Sequence, residues 1–241
     1  MKFFTSATQN FLWDGPLCYV RAMSLWFALV LALAAAPPQS NLFQLSPEQF
    51  SATKVAAEVI RFDAVKDELI SAAVFHETNR RRVAEGLPAL KHHAKAIEAA
   101  TIQSKIMAAR GSISHVNPEN PRYQTLIKRV HAVGVKPGFA AENVAKVFGL
   151  RYQSGRAFYK REEAGKTILS YTPNGPSIPP HSYASFAKEL VDGWMNSPGH
   201  RTNILHTAAE YLGVSCVVKT VEGEMPIFFS TQVFLAPLKR Q

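Results

Sequence analysis

Trp194-Met195-Asn196-Ser197-Pro198-Gly199-His200-Arg201-Thr202-Asn203-Ile204-Leu205 joins a large apolar side chain to a run of turn-forming and polar residues. Proline removes a backbone donor and glycine permits positive φ, so Ser-Pro-Gly reads as the end of a helix. That reading predicts His200 on a loop directly behind a Trp194 anchor. A histidine so placed is a candidate for metal binding or proton transfer. Two residues upstream extend the pattern: His115 in Ser-His-Val-Asn-Pro and Glu142 in Ala-Glu-Asn-Val-Ala.

The chain around this segment has 241 residues, 47% hydrophobic and 19% charged. That is a globular composition, long enough to bury a core without disulfides. The net charge of +9 admits nucleic acid or an anionic envelope surface as a partner. Most lysines and arginines are scattered, however. Apart from Arg80-Arg81-Arg82 and a stretch near residue 156 they read as solvated faces, and no nucleic-acid partner is expected.

The amino terminus reads as an address. Leu25 to Ala36 is a continuous apolar run preceded by Arg21. It fits the core of a secretory signal and is short for a bilayer span. Ala32, Ala34 and Ala36 offer small residues for cleavage, while Met23 is an alternative start. Residues 1–36 are therefore assigned to a signal peptide or N-terminal anchor, which predicts a secreted or extracytoplasmic protein at the cell envelope. Cys18 falls in this leader. The remainder keeps Cys216 alone, in the apolar run Val214-Ser215-Cys216-Val217-Val218, where it reads as a small buried hydrophobe.

Residues 37–69 read as a linker and an N-terminal helix. Ser46-Pro47-Glu48-Gln49 supplies a serine cap, a proline at the first helical position and a glutamine at the third. From Phe62 the positions Val65, Leu69, Ala72, Ala73, His76 and Val83 keep helical spacing up to Gly86-Leu87-Pro88. A second helix is expected from near His92 to Gly111, and a third from Pro121 to Val133. Gly134 and Pro137-Gly138 then interrupt the chain. Residues 149–182 form a Pro/Gly-punctuated insertion rich in aromatic and basic residues. Ser182 or Ser185 caps a helix carrying Phe186, Leu190 and Trp194. Tyr211–Lys219 and Pro226–Phe234 flank a turn at Gly223 and read as a β-hairpin. Helices first and strands last give an α+β domain.

Read together, these segments resemble the CAP superfamily of cysteine-rich secretory, antigen 5 and pathogenesis-related 1 proteins, also called the SCP domain. The resemblance rests on Asn79-Arg80 with Gly86-Leu87-Pro88-Ala89-Leu90, Ser114-His115, Glu142-Asn143-Val144-Ala145, Trp194 to Leu205, Leu212-Gly213-Val214 and Thr231-Gln232-Val233-Phe234. The Ser-Pro-Gly-His-Arg-Thr-Asn-Ile-Leu version without disulfides looks like the bacterial branch. It covers residues 70–236 and leaves 237–241 as a tail. It implies a three-layer α-β-α sandwich with an open cleft holding two histidines and two acids. His115 and His200 match the histidines and Glu142 matches one acid. Where many members carry the second acid this chain has Ser197, and Asp192 and Glu189 are the nearby alternatives.

Two neutral imidazoles can ligate Zn²⁺ or another divalent cation, with a carboxylate orienting a ligand or a bound water. Two protein ligands are fewer than the three a catalytic zinc site keeps, so His115 and His200 would form a weak, exchangeable site. Without metal the same cluster suits acid–base work, with Glu142 the candidate catalytic residue. The structural alternative, in which both histidines only brace the cleft, stays open. Ser114 beside His115 lacks a nucleophile elbow, and His76, His92 and His93 read as core or surface histidines. The leading expectation is a non-enzymatic module binding a small hydrophobic or envelope ligand. A metal-dependent, peptidase-like hydrolase and a structural envelope protein are the alternatives. The insertion is expected either to lie over the cleft as a lip for an acidic or lipidic partner, or to be a surface loop.

Overall fold

The computed structural model describes residues 41–238; the leader, Cys18, residues 37–40 at the start of the linker and residues 239–241 of the tail lie outside these residues. In chain order the elements are a 3-10 turn at Asn41–Gln44, α1 (Pro47–Ser51), a second 3-10 turn at Val55–Ala57, α2 (Asp67–Ala84), β1 (Lys91–His92), α3 (Ala94–Arg110) and α4 (Leu126–Ala132). These are followed by β2 (Pro137–Phe148), β3 (Tyr159–Glu163), β4 (Lys166–Ser170), α5 (Tyr183–Met195), α6 (Pro198–Ile204), β5 (Tyr211–Lys219) and β6 (Ile227–Pro237). A four-stranded sheet runs β1-β5-β6-β2, with β1 parallel to β5 and the other pairs antiparallel.

The period of two along β5 and β6 sorts the sheet into two buried faces. Leu212, Val214, Cys216, Phe228 and Phe234 join Ile70, Val74, Phe186, Leu190 and Trp194 from α2 and α5. The alternate residues Val233 and Leu235 meet Ala96, Ala99 and Ala100 of α3 and Val130 of α4. The result is an α-β-α sandwich, the α+β architecture expected. Small residues let α3 lie close to the sheet. At Gly213 the approach is so tight that a Cβ would collide with the backbone of Ala96 and Ile97.

Several local predictions coincide with the structure. Ser46 and Gln49 form a reciprocal capping box, as do Ser182 and Ser185. Gly111 closes α3 in the left-handed region at φ 76°, and Gly223 takes the same φ in the β5–β6 turn. Cys216 is buried, and burial pushes its thiol pKa up to about 12.

Other expectations are corrected. His200 is not on a loop: after α5 ends at Asn196, Ser197 is the N-cap of α6 and Pro198 its first residue. Proline is incompatible with a helix interior but pre-organised for a helix start, so one residue ends α5 and begins α6. The helix expected from Phe62 begins at Asp67, and Val83 faces solvent at 53% exposure. His92 belongs to β1, where Lys91 and His92 pair with Tyr211 and Leu212 before His93 caps α3. The third helix is only α4, capped by Thr125. Pro137-Gly138 opens β2 rather than breaking the chain, a position at the end of an edge strand that proline tolerates. Arg82, singled out in the Arg80-Arg81-Arg82 triplet as a cluster of charge, is fully buried and donates to the carbonyls of Pro88, Ile204 and His206.

Candidate functional site

Strand β2 is the edge of the sheet and carries the centre of the site. Its register sets Glu142 opposite Val233 and Asn143 opposite Gln232. The two side chains therefore leave on opposite faces. Glu142 meets α4, where Arg129 donates from Nη2 to Glu142 Oε2 at 2.6 Å. The Arg129 side chain is 0% exposed and that of Glu142 is 3%. Arg129 also donates from Nη1 to the Tyr123 carbonyl at 3.0 Å, and its guanidinium reaches the His115 carbonyl at 3.4 Å.

The other carboxylate oxygen faces His115. Its Nδ1 lies 2.8 Å from Glu142 Oε1, and an ionised carboxylate can only accept, so Nδ1–H donates. That tautomer leaves Nε2 of neutral His115 as a lone-pair donor, and the His115 side chain is 53% exposed. Below it, Gln103 reaches the Ser114 carbonyl through Nε2 and receives Asn117 Nδ2 at 2.7 Å on Oε1. The short loop holding His115 is thus tied to α3 from beneath.

Asn143, on the other face, fixes α6. Its Nδ2 donates to the His200 carbonyl at 3.1 Å and to Gln232 Oε1 at 3.0 Å, and Gln232 Nε2 continues to Thr78 Oγ1 at 2.7 Å. Asn203 donates to Asn143 Oδ1 at 2.9 Å and to the Glu142 carbonyl at 3.2 Å. The His200 ring has no hydrogen-bond partner among the described residues. Partial burial, aided by the neighbouring charge of His115, holds its pKa below the usual histidine value.

The structure brings His115, Glu142 and His200 together across the edge of β2. Among the described residues it gives no fourth acid there. Asp192 pairs with Arg81 and with Lys188 at 2.6 Å, while Glu189 lies 3.3 Å from His181. Both are occupied on α5, and Ser197 stands at the N-cap position of α6 without a side-chain hydrogen bond to the helix. Among the described residues no group of three or more His, Cys, Asp or Glu is placed to hold a metal ion.

Sequence reasoning missed Arg129. A single arginine in a short helix with lysine and histidine around it carries no local sign of burial, and its partner lies on a strand thirteen residues away. It also left Gln103, Asn117 and Thr78 without roles. Arg201 is a surface contact, 2.7 Å from Glu85.

The insertion does not pack on these residues. β3 and β4 pair with each other, and Leu169 and Ile178 pack on Met225 beside the β5–β6 turn. The insertion leaves β2 after Phe148, six residues beyond Glu142, or roughly 20 Å along a strand.

A three-layer sandwich with a histidine pair at the edge of its sheet defines a recognisable class. The family model for CAP, the cysteine-rich secretory protein family, matches residues 75–234. The chain belongs to that family. A search among curated proteins finds no match. Among solved structures the chain is similar to an extracellular SCP-domain protein from Bacillus anthracis, with 23% identity and a TM-score of 0.46 over 70% of this chain and 41% of that one. An outer surface protein from Borrelia burgdorferi gives 16% identity and a TM-score of 0.44 over 68% and 90%. A cysteine-rich secretory protein from Staphylococcus aureus gives 14% and 0.42 over 70% and 39%. The chain spans about 41% and 39% of the length of the first and third of these proteins.

Proposed function

We propose that this protein is an extracytoplasmic CAP domain whose β2 edge is a ligand-binding cleft rather than a hydrolytic centre. The reading rests on one arrangement: Glu142 is committed through both carboxylate oxygens, to buried Arg129 and to His115. A carboxylate so held orients an imidazole well and is a poor base toward water. No serine, threonine or cysteine among the described residues bonds to either histidine, so a nucleophile–base pair is missing. The leader expected at residues 1–36 and the names of the similar proteins support an extracytoplasmic place. Among the described residues no helix is long and apolar enough to cross a membrane.

His115 Nε2 and the His200 ring are the groups that would hold a divalent cation such as Zn²⁺. The donor set fits in one respect, because Glu142 fixes the tautomer that frees Nε2. With two imidazoles and no third ligand it fits a weak, exchangeable ion completed by water or by a polar group of the ligand. When bound, such an ion would supply Lewis acidity toward an oxygen of that ligand. A small hydrophobic or envelope component is the ligand class proposed. Mass spectrometry of molecules extracted from protein purified out of its native compartment tests this. A lipid or envelope fragment retained by wild type and lost in His115→Ala/His200→Ala supports it; identical extracts contradict it.

The second reading, metal-dependent hydrolysis through Glu142, is favoured only by the carboxylate–imidazole pair. Purified protein with added Zn²⁺ is expected to cleave peptide, ester and glycan panels no faster than Glu142→Ala. Cleavage above that control would favour the hydrolase.

A further inference from the structure

All three aromatic side chains that are exposed among the described residues cluster at one end of the sheet. They are Phe148 at 38%, Phe158 at 46% and Tyr159 at 48%. None contributes to the β2 cleft. Phe148 and Phe158 belong to a connected group, with Tyr159 next to Phe158 in the chain: Phe148 meets Tyr152 at a centroid distance of 5.3 Å, Tyr152 meets Phe158 at 5.8 Å, and Arg156 stacks 3.9 Å over Tyr171. The group is mounted firmly. Tyr152 and Tyr171 pack against the small core of Leu169, Ile178 and Met225, and Tyr152 donates its hydroxyl to the Arg156 carbonyl at 2.6 Å.

The same segment is strongly cationic. Between residues 146 and 171 there are six lysines and arginines against two glutamates. Glu163 is engaged by Arg161 and Glu162 by the Thr167 hydroxyl. Lys146, Arg151, Lys160 and Lys166 are exposed and have no carboxylate partner among the described residues. Glu222 and Glu224 on the β5–β6 turn are the other acids near this end, where the Lys160 amine lies beside Gly223.

We propose that the β3–β4 hairpin and the adjoining end of β2 form a peripheral docking surface for an anionic lipid bilayer. Aromatic side chains partition into the interface between head groups and acyl chains, and lysine stems extend along apolar surface while their ammonium groups meet lipid phosphates. Clustered cations near an anionic leaflet add attraction that salt weakens. The geometry favours a bilayer over an acidic polysaccharide. Exposed aromatic rings lie beside exposed lysine and arginine side chains, and a bilayer meets both with an apolar layer and an anionic one, whereas a soluble acidic polysaccharide offers chiefly charge. The proposal uses no residue of the His115–Glu142–His200 cleft, so the two readings fail independently.

Hydrogen–deuterium exchange of the full chain tests it locally, whatever the apolar leader does. The protein is mixed with phosphatidylcholine vesicles, with vesicles that also contain phosphatidylglycerol, and with a soluble anionic polysaccharide. Peptides covering residues 148–171 should gain protection only with the phosphatidylglycerol vesicles, and the gain should fade at high salt. Phe158→Ser/Tyr159→Ser and Lys160→Glu/Lys166→Glu should each weaken it about tenfold in lipid concentration, with exchange of β5 and β6 unchanged as the folding control. Absence of hairpin protection, equal protection by neutral vesicles, or protection by the polysaccharide alone overturns the proposal. The comparison of wild type across the three mixtures decides this even if a variant misfolds.

Discussion

Arg129 and Glu142 are the pair on which the geometry of the site depends. Two charges in contact at 2.6 Å and almost fully buried carry a large desolvation cost that their attraction and hydrogen bonds offset. Removing Arg129 leaves the buried Glu142 carboxylate with the His115 ring as its one remaining side-chain partner among the described residues. Arg129→Met is therefore expected to cost about 3–5 kcal/mol in equilibrium urea unfolding. The double variant Arg129→Met/Glu142→Leu should recover much of that loss, because it buries no lone charge. A double variant as unstable as the single one would mean that Arg129 acts mainly through the Tyr123 and His115 carbonyls. His200 behaves differently. Its depressed pKa keeps the ring neutral to lower pH than a solvated histidine, so ligation by it should persist below the usual histidine midpoint.

The contacts between elements are set by small residues and by a buried histidine. Gly213 on β5 has no room for a side chain beneath α3. Gly213→Ala is expected to destabilise the fold by about 2 kcal/mol or more, read as a lowered denaturation midpoint, because helix and strand must separate to admit a methyl group. On the opposite face, His76 of α2 is 2% exposed, stacks on Phe50 and lies 2.7 Å through Nε2 from the Leu42 carbonyl. Burial lowers its pKa, outweighing that hydrogen bond and the Glu48 carboxylate, which both act in the other direction. A histidine whose folded pKa lies below its unfolded value of 6.5 gives stability that is full above that value. The stability is lost as pH falls through the folded pKa. His92 is shifted the same way by burial. Unfolding free energy should thus decline from pH 7 toward pH 5, and His76→Gln should flatten the slope without abolishing it. An unchanged slope would remove His76 from the account.

Across the whole molecule, features written in local chemistry were legible from the sequence. Two capping boxes, the glycines at the end of α3 and in the β5–β6 turn, and the period of two in β5 all follow from neighbouring residues. The ordered motifs also identified the family, and with it the α-β-α layering. What was hidden depended on partners distant in sequence. Pro198 reads as a stop until α6 is seen to dock on β2 through Asn143 and Asn203. Arg129 reads as a solvated charge until the register of β2 points Glu142 at it. Asp192 and Glu189 were open alternatives for the fourth acid until Arg81, Lys188 and His181 were found holding them on α5.

The central claim is that His115 and His200 form one ligating pair oriented by Glu142. Calorimetric titration of Zn²⁺ at neutral pH, on wild type and on His115→Ala/His200→Ala, tests it most directly. The account predicts one weak, exchangeable site in wild type and no measurable binding in the double variant. Equal affinity in the two proteins would contradict it.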